Sequence, residues 1–374
     1  MKVMSLLDLR PRKLGSFEDY TISLSRSLTS QGGQSVVVFK ELPPEPLRPQ
    51  HLDAGSLLET KPFNSFGPNS ATALRALVRR YRPQVVHFYF VNLMSLDVVA
   101  AAVSRGVKVV FTDEQSDKPK ERTALRWHAL RASKRAFSSF VDQVIAPSDY
   151  VKSRLVREGV SAKRITTIYN GINVERFRNA HVTEDVRAKY AIGPSTVMVV
   201  SISQLIPEKG VGYLIDAAGL ALGQGADLAF IHVGDGRCAA EYRAKVQGLG
   251  IEKRFIFAGL LNLPEIAGIL RECDIFTLPC TWGEAFSLVI LEALAAGKPA
   301  IVTRVGGNVE AVEDGQNGLV VPPHDAGALA AALMTLHDSP ERRQAMGRES
   351  AMRSSYFSVN HWVDQTIDLY RRLV

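Results

Sequence analysis

Short apolar runs alternate along the chain with longer stretches whose apolar positions recur at helical spacing. That alternation predicts an α/β protein built on parallel sheets. In the first half the runs predict strands at Val3–Leu7, Ser35–Phe39, Val85–Phe90, Val107–Phe111 and Gln143–Ala146. Helices are expected between them, at Phe17–Ser30, Ala71–Tyr81, Ser95–Ser104, Thr123–Phe140 and Ser148–Glu158. The pattern restarts after about residue 181. Strands are expected at Thr196–Ser201, Leu228–Val233, Arg254–Phe257, Ile275–Leu278, Pro299–Val302 and Gly318–Val321. The accompanying helices are Gly212–Gly223, Ala239–Leu249, Pro264–Glu272, Ser287–Ala296, Val309–Glu313 and Ala326–Asp338. Two successive doubly wound sheets follow, with ligands expected at the carboxyl ends of the strands. A linker around Asn173–Thr183 separates a first domain, 1–180, from a second, 181–355. Residues 356–374 form a last amphipathic helix anchored by Phe357, Trp362, Ile367 and Leu369.

The 374 residues suffice for two such domains, and 46% hydrophobic with 22% charged residues is an ordinary globular balance. The apolar start, Met1–Leu7, is broken by Asp8 and Arg10 without a small-residue cleavage site, so it reads as a strand rather than a leader. No apolar stretch approaches the length of a membrane span. Cys238, Cys273 and Cys280 are odd in number and lack metal-ligand spacing, which fits free thiols in a reducing cytoplasm. Charge divides unevenly. Residues 1–180 carry 28 basic and 16 acidic side chains, a net +12, whereas residues 181–374 carry 17 and 22, a net −5. The first half therefore suits an anionic surface or acceptor, or simple solvation.

The strongest local signal is the run from Gly283 to Pro299, in which Glu284 and Glu292 stand eight positions apart. Glu284 falls in the loop after a strand that ends near Pro279, and Glu292 two turns into the following helix. Carboxylates accept hydrogen bonds from sugar and ribose hydroxyls, and the helix start between them offers free N–H groups to a phosphate. Two surface glutamates on a helix would show the same spacing. Upstream, Ser201–Gly210 follows an apolar strand and carries Lys209 at a strand-to-helix loop, where a cation meets a diphosphate or is merely solvated. Val233-Gly234-Asp235-Gly236 is a glycine turn after another strand but not a full dinucleotide fingerprint. Gly306-Gly307-Asn308 forms a second glycine turn before a helix.

Taken in order, these segments resemble glycosyltransferase family 4, whose members are retaining enzymes of the GT-B fold. The resemblance runs through Gly15-Ser16-Phe17-Glu18, Arg82–His87, Ala146-Pro147-Ser148 and Ile168–Asn173 with Phe177. It continues through the Lys209 loop, Gly234-Asp235-Gly236, Phe257-Ala258-Gly259, the glutamate pair, Gly306-Gly307 and Asn317–Pro323. It implies two Rossmann-like domains facing across a cleft, with the last helix crossing back to the first. It places Glu284 near the transferred sugar and Glu292 on the nucleotide ribose. Backbone N–H groups of Phe286, Ser287 and Leu288 then serve sugar and phosphate, with Gly234 also on the donor side. Lys209 matches the lysine of the family's basic pair at the diphosphate, but Gln204 stands where the arginine is usual, so that position brings no charge. Many members carry a histidine near Glu114; here a carboxylate stands in the Phe111-Thr112-Asp113-Glu114 loop, to stabilise charge at the anomeric carbon, to accept the acceptor's proton, or as an ordinary acidic loop. Glu284, Lys209 and Glu114 are thus the catalytic candidates. Gly15, Ser16 and His87 fall on the acceptor side, although His87, like His128, is also suited to packing or surface roles.

The resemblance implies a UDP- or GDP-linked sugar donor and no other cofactor. Lys209 and helix N-termini would stabilise the leaving diphosphate, and the chain contains no Asp-x-Asp triplet to carry a metal. The expected acceptor is a saccharide, a lipid-linked sugar or a small molecule. Lys118–Arg135 carries seven basic residues and one acidic residue, interleaved with Leu125, Trp127 and Leu130. That composition suits either peripheral contact with an anionic membrane from the cytoplasmic side or a solvated helix with one face on the sheet. No nucleic-acid-binding module is recognisable. A nonenzymatic GT-B protein that binds a nucleotide sugar or saccharide remains the alternative, because of Gln204 and Glu114. An epimerase, a phosphorylase or an NAD-dependent enzyme fits less well.

Overall fold

Strands buried on both faces need apolar side chains at nearly every position, and the runs that become strands here have them. The computed structural model describes residues 1–11, 15–116, 123–180 and 185–374. The chain folds as two units.

The first unit comprises Met1–Gln115, Pro119–Ile172 and Val359–Val374. It begins with β1 (Lys2–Leu7), α1 (Ser16–Ser30), β2 (Gln34–Phe39), α2 (Leu47–Asp53), β3 (Ser56–Thr60) and α3 (Pro68–Tyr81). It continues with β4 (Val85–Tyr89), α4 (Leu96–Ala102), β5 (Lys108–Thr112), α5 (Ala124–Ser138), β6 (Gln143–Ala146), α6 (Asp149–Arg157) and β7 (Ile165–Thr167). The strands form one parallel sheet in the order β3-β2-β1-β4-β5-β6-β7. The second unit, Asn173–Ser358 with Ser116–Lys118, starts with α7 (Val174–Arg178) and α8 (Val186–Lys189). Then come β8 (Val197–Ile202), α9 (Val211–Gly223), β9 (Leu228–Val233), α10 (Ala239–Gly248), β10 (Phe255–Gly259) and α11 (Leu263–Glu272). β11 (Ile275–Leu278), α12 (Leu288–Ala295), β12 (Ala300–Thr303), α13 (Asn308–Ala311), β13 (Gly318–Val321), α14 (Ala326–His337) and α15 (Pro340–Ser354) complete it. Its sheet is also parallel, in the order β10-β9-β8-β11-β12-β13.

The last helix, α16 (Val359–Leu373), packs on α1 within the first unit. Trp362, Val363, Ile367 and Tyr370 join Val3, Leu7, Tyr20 and Val85 in one core. The Trp362 indole stacks on Tyr20 at 3.7 Å between ring centres, and Tyr20 donates a hydrogen bond to Thr366 Oγ1 at 3.2 Å. Such burial adds aromatic packing to the area term and explains why the helix belongs to this unit.

The units divide between Ile172 and Asn173, ahead of the boundary expected at 180/181. The reason is packing: α7 sits against α11 and α12, and Phe177 is buried. The return begins at Val359 rather than 356, because the Phe357 ring packs on Phe286 of the second unit at 5.4 Å. Part of the segment expected as a linker, residues 181–183, lies outside the described residues.

Candidate active site

In the second sheet the strand order reverses between β8 and β11, and such a switch point opens a crevice at the carboxyl ends of its strands. The loop after β8 carries Lys209; the loop after β11 carries Glu284. Three contacts staple the loops together. Gly210 lies so close to Pro279 that a Cβ would stand 1.8 Å from its carbonyl oxygen, at a φ of 71°. The Thr281 N–H donates to Glu208 O at 2.9 Å, and the Thr281 hydroxyl donates to Pro207 O at 3.3 Å. Lys209 Nζ then donates to Glu284 Oε1 at 2.5 Å, 75 positions away in sequence. Burial lowers the Lys209 pKa, but the Glu284 carboxylate, with Cys280 and Glu208 nearby, outweighs it and the net shift is upward.

Glu284 is itself held by glycines. Gly306, at φ 59°, lies where a Cβ would stand 2.2 Å from Glu284 O, and the Gly307 N–H donates to that oxygen at 2.9 Å. Gly234 (φ 135°) follows β9 at the same edge; a Cβ there would stand 1.9 Å from Ser203 O. Both positions therefore need glycine. Ser287 is the N-cap of α12 and its side chain does not cap the helix. The sequence thus brings Phe286, Ser287 and Leu288 to a helix start that presents backbone N–H groups. Phe286 is buried, and Glu292 is half-buried one turn further on. Gln204 is exposed in the loop after β8. Sequence reasoning missed Arg237, in the turn after β9. Its guanidinium lies 3.0 Å from Glu208 Oε2, one residue from Lys209, and the only local signal was its place behind Gly234-Asp235-Gly236.

The first sheet reverses between β1 and β4. At its carboxyl edge Gly15 caps α1 with extended backbone, and Ser16 is buried at the first helical position. Phe90, directly after β4, takes a left-handed φ of 58° while 43% exposed, its ring against Phe17 at 4.7 Å. A bulky residue in that conformation is strained, and such strain concentrates at functional edges; no local pattern marked it. After β5 comes Glu114. Its Oε2 accepts from Asn170 Nδ2 at 2.9 Å, while its Oε1 is buried without a hydrogen-bond partner among the described residues. Burial pushes its pKa up to about 7, helped by Asp113 and opposed by the Asn170 bond. Arg154 of α6 anchors the loop, donating to Asp113 Oδ1 at 2.8 Å and Gln115 O at 2.6 Å. Arg154 lies 41 positions from Asp113, and nothing near it in sequence signals the pairing.

His87 does not join this edge. It is fully buried in β4, with Nδ1 against the Tyr370 and Tyr89 hydroxyls and Nε2 against Thr112 Oγ1 at 2.6 Å. Burial drives its pKa well below the usual histidine value, so it is a neutral core residue. On α5, Ser138 is buried, Trp127, Leu130 and Phe137 are half-buried along one side, and Leu125 is 80% exposed. The basic residues Lys118, Lys120 and Arg122 lie outside the described residues. All three cysteines are free and buried. Among the described residues no helix is long and apolar enough to cross a membrane.

Comparison with known proteins fits this geometry. The family described as Glycosyltransferase Family 4 matches residues 17–176, and the one described as Glycosyl transferases group 1 matches residues 182–353, so that together they take in most of the chain. The chain belongs to glycosyltransferase family 4. Among curated relatives, a D-inositol 3-phosphate glycosyltransferase of Corynebacterium glutamicum (strain R) is 33% identical over 215 residues, 55% of this chain and 51% of the relative. The putative glycosyltransferase EpsD of Bacillus subtilis (strain 168) is 26% identical over 79% of this chain and 78% of its own. The match thus spans about half the length of the first relative and more than three quarters of the second. Among solved structures, a glycosyltransferase from Rickettsia africae ESF-5 has a TM-score of 0.82 at 19% identity, covering 100% of this chain and 98% of that one. Anabaena Alr3699/HepE, solved in complex with UDP, has a TM-score of 0.81 at 21% identity with both chains covered in full. At those identities the likeness establishes the fold, which is GT-B, as the family 4 resemblance implies.

Proposed function

We propose that this family 4 chain is a retaining, metal-independent glycosyltransferase that moves a hexose-type sugar from a nucleoside diphosphate to a saccharide, lipid-linked or small-molecule acceptor. The observation that carries the reading is the Lys209–Glu284 pair, fixed by glycines at the switch point of the second sheet. An ammonium so placed is available to the oxygen of a departing diphosphate, and the carboxylate it leaves accepts hydrogen bonds from the sugar hydroxyls. The start of α12 supplies N–H groups to the phosphate, and Glu292 accepts from the ribose. The HepE structure with UDP supports a uridine nucleotide among the candidates. On the first unit, Glu114 with a pKa near 7 suits proton acceptance from the acceptor hydroxyl, with Gly15, Ser16 and Phe90 at the same edge. The exposed basic α5 supports peripheral contact with an anionic, cytoplasmic membrane face.

The test is ligand-induced thermal stabilisation with UDP, GDP, ADP and their sugars, with and without EDTA. One nucleotide should raise the melting temperature, insensitive to EDTA, and the shift should vanish in Lys209→Ala and Glu292→Ala. Nucleotide binding without turnover would favour the nonenzymatic reading that the uncharged Gln204 position invites; no shift with any nucleotide would sink the donor site altogether.

A further inference from the structure

The amino-terminal edge of the first sheet, opposite the loops that carry Glu114 and Phe90, holds a cavity of about 590 Å³. It opens where α3 and α4 end and the chain turns into β4 and β5. Arg75, Arg79, Arg82 and Arg105 line it, and no acidic residue does. All four arginines are exposed, and none of their side chains makes a hydrogen bond or ion pair among the described residues. Neighbouring Arg80 turns away to pair with Glu59, so the arginine with a carboxylate in reach uses it. Arg82 adds a second kind of evidence. It closes α3 at a left-handed φ of 49°, a conformation that favours glycine, and yet the residue there is an arginine that lines the cavity.

We propose that this cavity binds a small molecule carrying two or more clustered phosphates. Guanidinium forks match phosphate oxygens in pairs, and four of them around one space leave a single-charge anion badly outnumbered. The volume lies in the range of small-ligand sites. Val103, 60% exposed, and Val107 give the cavity an apolar wall for the part of the ligand that is not phosphate. The site is separate from the Lys209 loops of the second unit and does not depend on the function proposed above. Its occupant would touch the starts of β4 and β5, the two strands that end at Phe90 and the Glu114 loop.

Calorimetric titration of the full chain with inorganic tripolyphosphate, at fixed ionic strength and with sulfate as the comparison, tests this. One saturable site that depends on these arginines is expected, weak for sulfate, with its affinity falling by roughly tenfold or more in each of Arg79→Ala, Arg105→Ala and Arg82→Gly. Arg82→Gly relieves the backbone, so its loss of affinity should come with an unchanged or higher melting temperature, which unfolding cannot mimic. Lys209→Ala should leave this arginine site as it is in the native chain and remove only tripolyphosphate held by the proposed donor loops. Affinity indifferent to the arginines, equal for sulfate, or lost only in Lys209→Ala overturns the proposal. So does arginine-dependent binding to phosphatidylglycerol vesicles without uptake of tripolyphosphate, which would make this face a membrane contact.

Discussion

Replacing Glu114 by Gln isolates a single titration. In the folded chain this carboxyl ionises near pH 7 instead of 4.5, because burial penalises the charged form. Its folded-state pKa lies above the unfolded one, so between those values the folded chain holds a proton that the unfolded chain has lost. Stability therefore falls as pH rises through that window, the reverse of a salt-bridged carboxylate. Between pH 5 and pH 8 the two pKa values imply a loss of about 2.5 kcal/mol from this group alone. Glutamine does not titrate, and any cost of its amide beside the buried Oε1 position is the same at both pH values. The advantage of Glu114→Gln over the native chain should thus grow by about 2.5 kcal/mol from pH 5 to pH 8, or roughly 5–10 °C in the melting of a unit this size. Paired denaturant titrations at the two pH values measure it. A difference that stays constant with pH would refute the burial argument. Under the proposed chemistry the same variant should lose about 10²-fold or more in kcat and the pH limb near 7, while still binding nucleotide.

Gly306→Ala should destabilise the chain by about 2 kcal/mol or more, because it combines a left-handed φ with a backbone collision at Glu284; urea unfolding reads this, and nucleotide-induced stabilisation should shrink with it. Arg82→Gly should stabilise by about 0.5–1 kcal/mol in the same assay, since glycine takes φ 49° without strain. Trp362→Ala removes the ring stacked on Tyr20 and should cost about 3–5 kcal/mol in the first unit, seen as a lower urea midpoint. Reversing Arg126, Arg131 and Arg135 on α5 to Glu should abolish sedimentation with anionic vesicles at low salt and leave the melting temperature unchanged, since that helix buries little.

Local pattern alone located most of the fold. The expected strands Gln143–Ala146, Leu228–Val233, Ile275–Leu278 and Gly318–Val321 match β6, β9, β11 and β13 residue for residue, because each is written as a short, mostly apolar run. Order of motifs supplied the family. It also put Glu284 in a loop after a strand and Glu292 in the helix that follows, where the structure has them. Tertiary structure decided what has no such local signature. β3 and β7 are edge strands, half exposed or only three residues long, and carry no apolar run to notice. α15 is a polar helix that packs through small residues: a Cβ on Gly347 would stand 2.4 Å from Gly297 O, a closeness that hydrophobic spacing cannot announce. His87 sits in a motif of the family's first domain, yet three hydroxyl groups from β4, β5 and α16 close around it and make it core. The pairings Lys209–Glu284, Glu114–Asn170 and Arg154–Asp113 each join distant positions. Periodicity is a property of neighbours in the chain, whereas an ion pair between loops is set by which strands lie side by side, and only the folded sheets fix that order.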